Sequence, residues 1–445
     1  MARGAAPGEP RLCTAAEAAA LIRSRDRLAI PLGPGQPAEL LHALSDREDF
    51  EDLEVSAALL LDLYPLFARP GVRLRSGFFG PAERGLVAAG HAVAFVPGDL
   101  RRFASVIEAM APRVMATAVA APDEHGRYSL SLHAGATAEA LRACGRDPSR
   151  LLIAEVNPAL PRTFGLPAGH GSSYRHELTA AEIDVVIESN RPLPTLDEPP
   201  AGAVEGAIAR HVARFIRDGS TLQTGIGRVP NSVATLLAEG DGGDYGIHSE
   251  MFTTGLMRLH QAGKVSNRHK GVYDGFSVCT FAFGSAELHA WLHERDEVRF
   301  LPAALTNDPS VIARNRRMVS INGALAVDLA GQVMADTIDG RQHSGIGGHE
   351  DFVGGASMDR DDQSMLCLPA TAQVDGRTVS RIVSRFPAGA IITTPRHQLD
   401  YVFTEFGVAE MRGRSTEERA EALVAVAHPD AREALRRGEP LRFLD

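Results

Sequence analysis

One glutamate stands out in residues 246–255, which read GIHSEMFTTG. Apart from the ionisable His248, Glu250 has no charged neighbour within four residues on either side. A surface glutamate usually lies among other charges, so this isolation suggests two roles. Glu250 either caps a helix or pairs with an arginine at the end of a strand, or it is a carboxylate placed for chemistry. The pattern alone leaves both open.

His248 raises the question of a metal, because residues two apart on a strand share a face. Zinc sites in proteins need at least a third protein ligand at a suitable spacing. The chain contains neither HExxH nor CxxC. We therefore expect no metal site, and we interpret His248 as a packing or hydrogen-bonding neighbour of Glu250.

A glycine-rich segment, RQHSGIGGHEDFVGGA, occupies residues 341–356. Gly345, Ile346, Gly347 and Gly348 form its centre. Backbone without side chains lets a ligand come close and exposes N–H donors. The segment is not a dinucleotide fingerprint or a Walker loop, because it lacks G-x-G-x-x-G before a helix and Gly-Lys-Ser/Thr. A glycine-rich hairpin without a function is the alternative.

A third motif is LQTGIGRVP, residues 222–230, in which Gln223 and Gly225 come at an expected strand end before a helix. An amide side chain beside free backbone N–H groups is a suitable set of donors for an oxyanion. A plain strand-to-helix turn is the simpler interpretation of this motif taken alone.

The elements that must position these residues follow an alternating pattern. Strand-like apolar runs alternate with helical ones, which predicts an α/β fold with largely parallel sheets. Ligands of such sheets bind at the carboxyl ends of the strands. Residues 26–41 and 218–235 share the order strand, glycine turn and helix, which indicates a duplicated unit, with chance as the alternative. Ser415 and Glu418 form a capping-box pattern before the helix EERAEALVAVA.

Two domains are expected, because 445 residues are too many for one ordinary core. The proline-rich segment RPLPTLDEPPAGAV, residues 191–204, is typical of a linker. We place the boundary near residue 200. The predicted domains are 1–199 and 200–445, and the second carries Glu250 and the glycine loop.

Composition excludes several classes of protein. A net charge of −10 argues against a nucleic-acid partner but allows a local basic pocket for a phosphorylated ligand. Four scattered cysteines favour a reduced, cytoplasmic protein. The sequence MARGAAPGEPRL lacks the apolar segment of a signal peptide, and no run of 18 apolar residues predicts a membrane span.

Together the motifs resemble the acetyl-CoA hydrolase/transferase family of class I CoA-transferases. The likeness is greatest to the branch with 4-hydroxybutyrate CoA-transferase and butyryl-CoA:acetate CoA-transferase. It spans residues 122–430. The motifs are PDEHGRYSLS, VNPALPRTFG, LQTGIGRVPNSV, GIHSEMFTTG, KVSNRHK, INGALAVDLAGQV, HSGIGGHEDFVGGA and YVFTEFGVAEMRGRSTEERAEALVAVAHPD.

The resemblance implies two related α/β domains with the active site between them. It implies that Glu250 is the nucleophile and carries CoA as a glutamyl-CoA thioester. The glycine loop would lie over the thioester, and Gln223 and Gly225 would help to hold the oxyanion. The substrates would be an acyl-CoA and a carboxylate such as acetate, with CoA as substrate and no cofactor. We expect a homo-oligomer, a dimer.

CoA carries phosphates, so basic residues should line its path. Within KVSNRHK we assign Asn267 and Lys270 to substrate or CoA binding, with Lys264 and Arg268 beside them. A second candidate for the phosphates, IARNRRM, is a group of three arginines, namely Arg314, Arg316 and Arg317. A solvated charged face is the alternative for both segments.

Two other activities fit the same motifs. Water admitted to the site would make the protein an acyl-CoA hydrolase, with Glu250 as general base or as an acylated intermediate. A non-catalytic acyl-CoA-binding protein is the third possibility, although it has no need of the carboxylate. The chain departs from the family pattern at Ala121, Arg228 and Gly323, so the sequence does not predict the acyl group.

Overall fold

A computed structural model of the chain describes residues 9–169, 173–197, 200–439 and 443–444. The chain forms two compact units. The first comprises the residues up to Leu196 together with Val278–Thr306, and the second comprises Asp197–Ser277 and the residues from Asn307 onward. The strand Ser277–Cys279 thus takes the chain out of the second unit and into the first.

Eight parallel strands form the main sheet of the first unit. Their spatial order is Arg11–Leu12, Val185–Glu188, Leu151–Val156, Val114–Val119, Arg25–Ala29, Asp52–Ala57, Val72–Ser76 and Val93–Phe95. All residues of Val114–Val119 are buried. A strand covered on both faces is expected to be mainly apolar, and five of these six residues are, with Thr117 as the exception.

Six strands form the main sheet of the second unit, and only the last pair is antiparallel. Their spatial order is Gly246–Ile247, Thr221–Thr224, Met318–Gly323, Gln363–Cys367, Tyr401–Thr404 and Gly407–Glu410. The predicted α/β fold with largely parallel sheets is therefore confirmed. GIHSEM and LQTGIG belong to adjacent strands of this sheet, so their carboxyl ends meet at one edge.

The helices and smaller strands complete both units. The first unit has the helices Ala15–Ala19, Ala38–Ser45, Pro81–Ala88, Phe103–Met110, Ala138–Arg146, Ala286–Leu292 and Ala303–Thr306, and the strands Arg127–Ser129, Glu177–Thr179, Phe281–Ala282 and Val298–Phe300. The second has the helices Ala203–Ala213, Arg228–Glu239, Thr254–Gln261, Pro309–Ile312, His349–Gly355, Thr416–Val426 and Arg432–Arg436. Its smaller strands are Met251–Phe252, Ala326–Asp328, Val333–Met334, Thr337–Ile338, Arg341–Gln342, Thr371–Val374, Arg377–Ser380, Ile382–Val383 and Phe443–Leu444.

Local predictions match these elements. The predicted order of strand, turn and helix occurs in both halves, as Arg25–Ala29 followed by Ala38–Ser45 and as Thr221–Thr224 followed by Arg228–Glu239, while its origin by duplication stays a prediction. The predicted capping box begins the helix Thr416–Val426. Ser415 Oγ accepts from the Glu418 N–H at 3.2 Å, and Glu418 Oε2 accepts from the Ser415 N–H at 2.8 Å.

The predicted domain boundary near residue 200 lies close to the first passage between the units, at Leu196 and Asp197. The return of Val278–Thr306 to the first unit has no counterpart in that prediction, because no shift in composition marks it. All four cysteines are buried, and none of them forms a disulfide bond. Of the helices in the described ranges, none combines the length and the apolarity that crossing a membrane requires.

Candidate active site

Glu250 lies just beyond the carboxyl end of the strand Gly246–Ile247. Two hydrogen bonds fix this stretch to the neighbouring strand Thr221–Thr224. The His248 N–H donates to the Leu222 carbonyl at 3.1 Å, and Ser249 Oγ donates to the Thr224 carbonyl at 3.2 Å. Glu250 therefore occupies the position where parallel sheets place reactive groups.

Asn307 holds the Glu250 carboxylate. Its Nδ2 donates to Glu250 Oε2 at 2.6 Å and to Asp351 Oδ2 at 3.2 Å. Asn307 is fully buried, and Asp351 is 1% exposed. Because the amide nitrogen faces two carboxylates, the orientation of the Asn307 side chain is fixed.

Gly348, the last glycine of the loop, touches the same carboxylate. A Cβ atom at this position would lie 1.9 Å from Glu250 Oε2 and 2.3 Å from Asn307 Nδ2. The Gly348 N–H also donates to the carboxylate. Its φ of −93° is open to any residue, so the close approach and not the backbone conformation requires glycine here.

The surroundings raise the pKa of Glu250 to about 7. Burial, which removes water from the carboxylate, is the main cause, and the charge of Asp351 adds to it. The hydrogen bonds from Asn307 and the Gly348 N–H act in the opposite direction and lower the pKa. At neutral pH a large fraction of the carboxylate is therefore ionised, while it remains poorly solvated.

The glycine loop is anchored at its base by Asp336. The carbonyl of Asp336 accepts from the N–H groups of His343 and Ser344 at 2.8 and 3.0 Å. Its carboxylate accepts from Gln342 Nε2 at 2.9 Å and from Thr393 Oγ1 at 2.6 Å. These contacts set the path of Gly345, Ile346 and Gly347 toward Gly348, and a φ of +58° at Gly347 makes the turn.

The side chain of Gln223 has a fixed direction. Asn322 Nδ2 donates to Ser320 Oγ at 2.6 Å, and Ser320 Oγ donates to Gln223 Oε1 at 2.8 Å. This relay leaves the amide nitrogen of Gln223 as the donor that can face a ligand. Gly225 follows at the strand end, and the space where its Cβ would lie is open. Both share the sheet edge of Glu250, although the hydrogen bonds described above do not join them to its carboxylate.

His248 is fully buried and packs against aromatic rings. Its ring is stacked on Tyr273, with centroids 6.3 Å apart, and meets Phe352 edge-on at 6.2 Å. In the described ranges, no group of three or more His, Cys, Asp or Glu side chains could hold a metal ion. The packing role that the sequence suggested for His248 agrees with this geometry.

Asn267 and Lys270 lie in the interior below the strand Gly246–Ile247. Asn267 Oδ1 accepts from the Ile247 N–H at 2.9 Å, and Lys270 Nζ donates to the Ile247 carbonyl at 2.8 Å. Lys270 is fully buried, and its Nζ also donates to the Phe276 carbonyl at 2.6 Å. A buried ammonium that binds backbone carbonyls is not placed to meet a CoA phosphate, so this geometry favours positioning of the strand that precedes Glu250 over the predicted CoA contact.

The other basic residues of KVSNRHK are also engaged. Lys264 Nζ donates to the Gly240 carbonyl at 2.5 Å, and Arg268 pairs with Asp244 at 2.5 Å.

Arg228 pairs with Glu205 at 3.4 Å. Arg228 therefore faces a neighbouring helix, and its departure from the family pattern has no evident effect on Glu250.

Sequence reasoning missed Asn307 and Asp351. Asn307 is 57 positions from Glu250 along the chain and carries no motif of its own. Asp351 lies within the quoted glycine segment, three residues past Gly348, and its place in the first turn of the helix His349–Gly355 was the available signal.

Comparison with known proteins gives a consistent family. Residues 284–438 match the model of the acetyl-CoA hydrolase/transferase C-terminal domain. The chain is 34% identical to succinyl-CoA:cyclohexane-1-carboxylate CoA transferase of Geobacter metallireducens, over 95% of this chain and 93% of that protein. It is 34% identical to 4-hydroxybutyrate coenzyme A transferase of Clostridium kluyveri, over 97% and 98%.

A solved structure extends the likeness to the fold. RipA from Yersinia pestis matches with a TM-score of 0.88 and 31% identity, over 96% of both chains. More distant relatives from Neurospora crassa and Kluyveromyces lactis are acetyl-CoA hydrolases, at 24% and 25% identity over 68% and 63% of this chain.

The raised pKa of Glu250 predicts a pH-dependent cost to stability. Between its unfolded value of 4.5 and its folded value of about 7, the folded chain binds the proton more tightly, so stability falls as pH rises through this window. Glu250→Gln cannot ionise. It should raise the free energy of unfolding by on the order of 3 kcal/mol at pH 8 and by much less at pH 5.

Denaturant unfolding of both proteins at the two pH values measures this difference. Glu421→Gln, at an exposed position of the helix Thr416–Val426, is the matched control and should show no such gain. An equal effect of Glu250→Gln at both pH values would contradict the desolvated carboxylate.

Proposed function

We propose that this chain, which belongs to the acetyl-CoA hydrolase/transferase family, moves CoA from a short-chain acyl-CoA to a carboxylate acceptor such as acetate through a glutamyl-CoA thioester on Glu250. Its relatives at 30% identity or more over most of the chain are CoA-transferases, and the chain is an enzyme of that type. The acceptor, the acyl group and the covalent intermediate belong to the proposal.

One observation carries the proposal: the Glu250 carboxylate is desolvated, yet it is held by the two donors Asn307 and Gly348. Desolvation raises the free energy of a nucleophile and keeps water away from reactive intermediates. A carboxylate that only caps a helix or forms a surface ion pair needs neither feature. A protein that only binds acyl-CoA has no use for a desolvated carboxylate either.

The chemistry proceeds by exchange between carboxyl groups. A Glu250 oxygen attacks the acyl-CoA carbonyl, and the CoA thiolate leaves, which forms a mixed anhydride between the acyl group and Glu250. The thiolate then attacks the glutamyl carbonyl and expels the free acid, which leaves the glutamyl-CoA thioester. The acceptor carboxylate attacks this thioester, and the same two steps in reverse deliver the new acyl-CoA and restore Glu250.

The donors around Oε2 suit the charge that develops in these steps. When the thiolate attacks the glutamyl carbonyl, negative charge collects on the oxygen that Asn307 Nδ2 already meets at 2.6 Å. The Gly348 N–H supports the same carboxyl group. Gln223, aimed by Ser320, is our candidate donor for the oxyanion on the substrate carbonyl, with Gly225 beside it. Each such donor typically contributes roughly 100- to 1000-fold in rate.

Hydrolysis of acyl-CoA is the second candidate, because more distant relatives are acetyl-CoA hydrolases. Water that reached the anhydride or the thioester on Glu250 would release the acid or CoA without an acceptor. The desolvation of Glu250 favours transfer over hydrolysis. Three statements stay predictions: that the protein uses no cofactor and takes CoA as a substrate, that it is a homodimer, and that it is cytoplasmic.

Gly348→Ala tests the contact at the carboxylate. The new Cβ would overlap Glu250 Oε2 and displace it, so turnover should fall by at least about 100-fold. Because the atoms it meets are buried side-chain ends, the melting temperature should also fall, but the protein should stay folded at the assay temperature. Steady-state rates and thermal unfolding measure both effects.

Gly354→Ala is the matched control for this variant. Gly354 lies in the helix His349–Gly355, and nothing lies within 4 Å of its Cβ position. This variant should keep full turnover and be slightly stabilised, because alanine favours the helix by roughly 1 kcal/mol. Equal turnover in Gly348→Ala and Gly354→Ala would contradict the assigned site.

An assay with a panel of substrates separates transferase from hydrolase. Several short-chain acyl-CoAs are each incubated with and without acetate, and acyl-CoA products and free CoA are measured. We expect new acetyl-CoA that depends on acetate, with little free CoA, and no turnover in Glu250→Gln. Release of CoA at the same rate without acetate would indicate a hydrolase, and inactivity with every donor and acceptor would count against both.

A further inference from the structure

A cavity of about 500 Å³ lies in the second unit. It is at the amino ends of the strands of the main sheet, whereas Glu250 lies beyond a carboxyl end. It is built at the amino ends of four neighbouring strands, namely Thr221–Thr224, Met318–Gly323, Gln363–Cys367 and Tyr401–Thr404. The longest of these strands has six residues, roughly 20 Å at the usual rise. The cavity is therefore separate from the candidate active site, with the sheet between them.

Three arginines line this cavity, and they are Arg217, Arg317 and Arg360. The single carboxylate in the lining is Asp361, so the formal charge of the lining is three minus one, or +2. In the part of the chain that the structure describes, none of the three guanidinium groups forms an ion pair. Arg317 donates only to a neutral group, the Asp218 carbonyl, at 2.9 Å.

The rest of the lining consists of Gln363, Ser220, Val319 and two aromatic rings. Gln363 Oε1 is buried and accepts no hydrogen bond from any described residue. The rings of Phe215 and Tyr401 also line the cavity and meet edge to face, with centroids 5.4 Å apart and an interplanar angle of 64°. Because this amide oxygen is an acceptor, only a ligand that carries an N–H or O–H donor would satisfy it, and a phosphate group alone would not.

We propose that this cavity binds a phosphate-bearing anion of nucleotide size, at a site distinct from that of the reacting CoA. Guanidinium groups match phosphate oxygens in a bidentate manner, and three of them without carboxylate partners leave that capacity unused. The volume lies within the range of small-molecule sites. The two aromatic rings in the lining offer an apolar contact to a ligand with a ring, which a bare polyanion would not use.

Two of the three arginines of IARNRRM, Arg316 and Arg317, lie at the amino ends of these strands. The sequence suggested Arg317 for the phosphates of the substrate CoA, but its strand begins at the edge remote from Glu250. Arg316 and Arg317 line a second, adjoining cavity of about 360 Å³ together with Asp218 and Asp244, so its formal charge is two minus two, or zero, and the excess positive charge belongs to the first cavity alone. The proposal is independent of CoA transfer, since none of these residues contacts Glu250 or its donors.

Calorimetric titration of the full chain with ADP, pyrophosphate and adenosine at low salt tests the site. ADP should bind, pyrophosphate should bind more weakly, and uncharged adenosine should not bind measurably. Arg217→Gln and Arg360→Gln should each weaken ADP binding by about tenfold or more, because each removes a charged donor. High salt should weaken binding in the unchanged protein.

The control is Arg385→Gln, which makes the same change at an exposed arginine outside the cavity and should bind ADP normally. Arg217→Gln and Arg360→Gln should transfer CoA as fast as the unchanged protein. A loss of ADP binding without a loss of CoA transfer shows that ADP binds in this cavity and not in the path of CoA. Three results would overturn the proposal. They are the absence of ADP binding by the unchanged protein, ADP binding by Arg217→Gln and Arg360→Gln as tight as that by Arg385→Gln, and citrate binding as tight as that of ADP. Normal ADP binding in an inactive protein would instead count only against the proposed function.

Discussion

The hydrogen bond from Asn307 Nδ2 to Glu250 Oε2, 2.6 Å long, is the contact on which the site depends. Burial works against an ionised carboxylate, and this donor with the Gly348 N–H works for it. The result is a pKa of about 7, at which the group is both ionised and poorly solvated near neutral pH. Stronger hydrogen-bond donors would stabilise the Glu250 carboxylate and make it less reactive. Weaker donors would leave the carboxyl group protonated at neutral pH.

The fold serves this balance at several levels. Parallel pairing of Gly246–Ile247 with Thr221–Thr224 brings Glu250 and Gln223 to one edge of the sheet. Lys270 and Asn267 form hydrogen bonds with the main chain of Ile247 and fix the position of the strand Gly246–Ile247. Asp336 anchors the glycine loop so that Gly348 meets the carboxylate with no side chain between them.

Local sequence could predict the elements and part of the site. Glu250 is visible because its neighbours are apolar, and Gly348 because glycines are crowded around it; the fold class follows from alternating strand and helix patterns. Asn307 could not be found in this way, because its partners Glu250 and Asp351 are 57 and 44 positions away and meet it only in the folded chain. Lys270 was assigned to CoA because charge is visible in a sequence, whereas its complete burial is not. The passage of Val278–Thr306 into the first unit is likewise a tertiary fact without a local signal.

Covalent trapping on Glu250 tests the central claim most directly. The protein is incubated with an acyl-CoA, reduced with borohydride or treated with hydroxylamine, digested and mapped by mass spectrometry. We predict modification at Glu250 that requires acyl-CoA and disappears when the acceptor acid is added before the trap. Modification at another residue, or full CoA transfer by Glu250→Ala, would contradict the account.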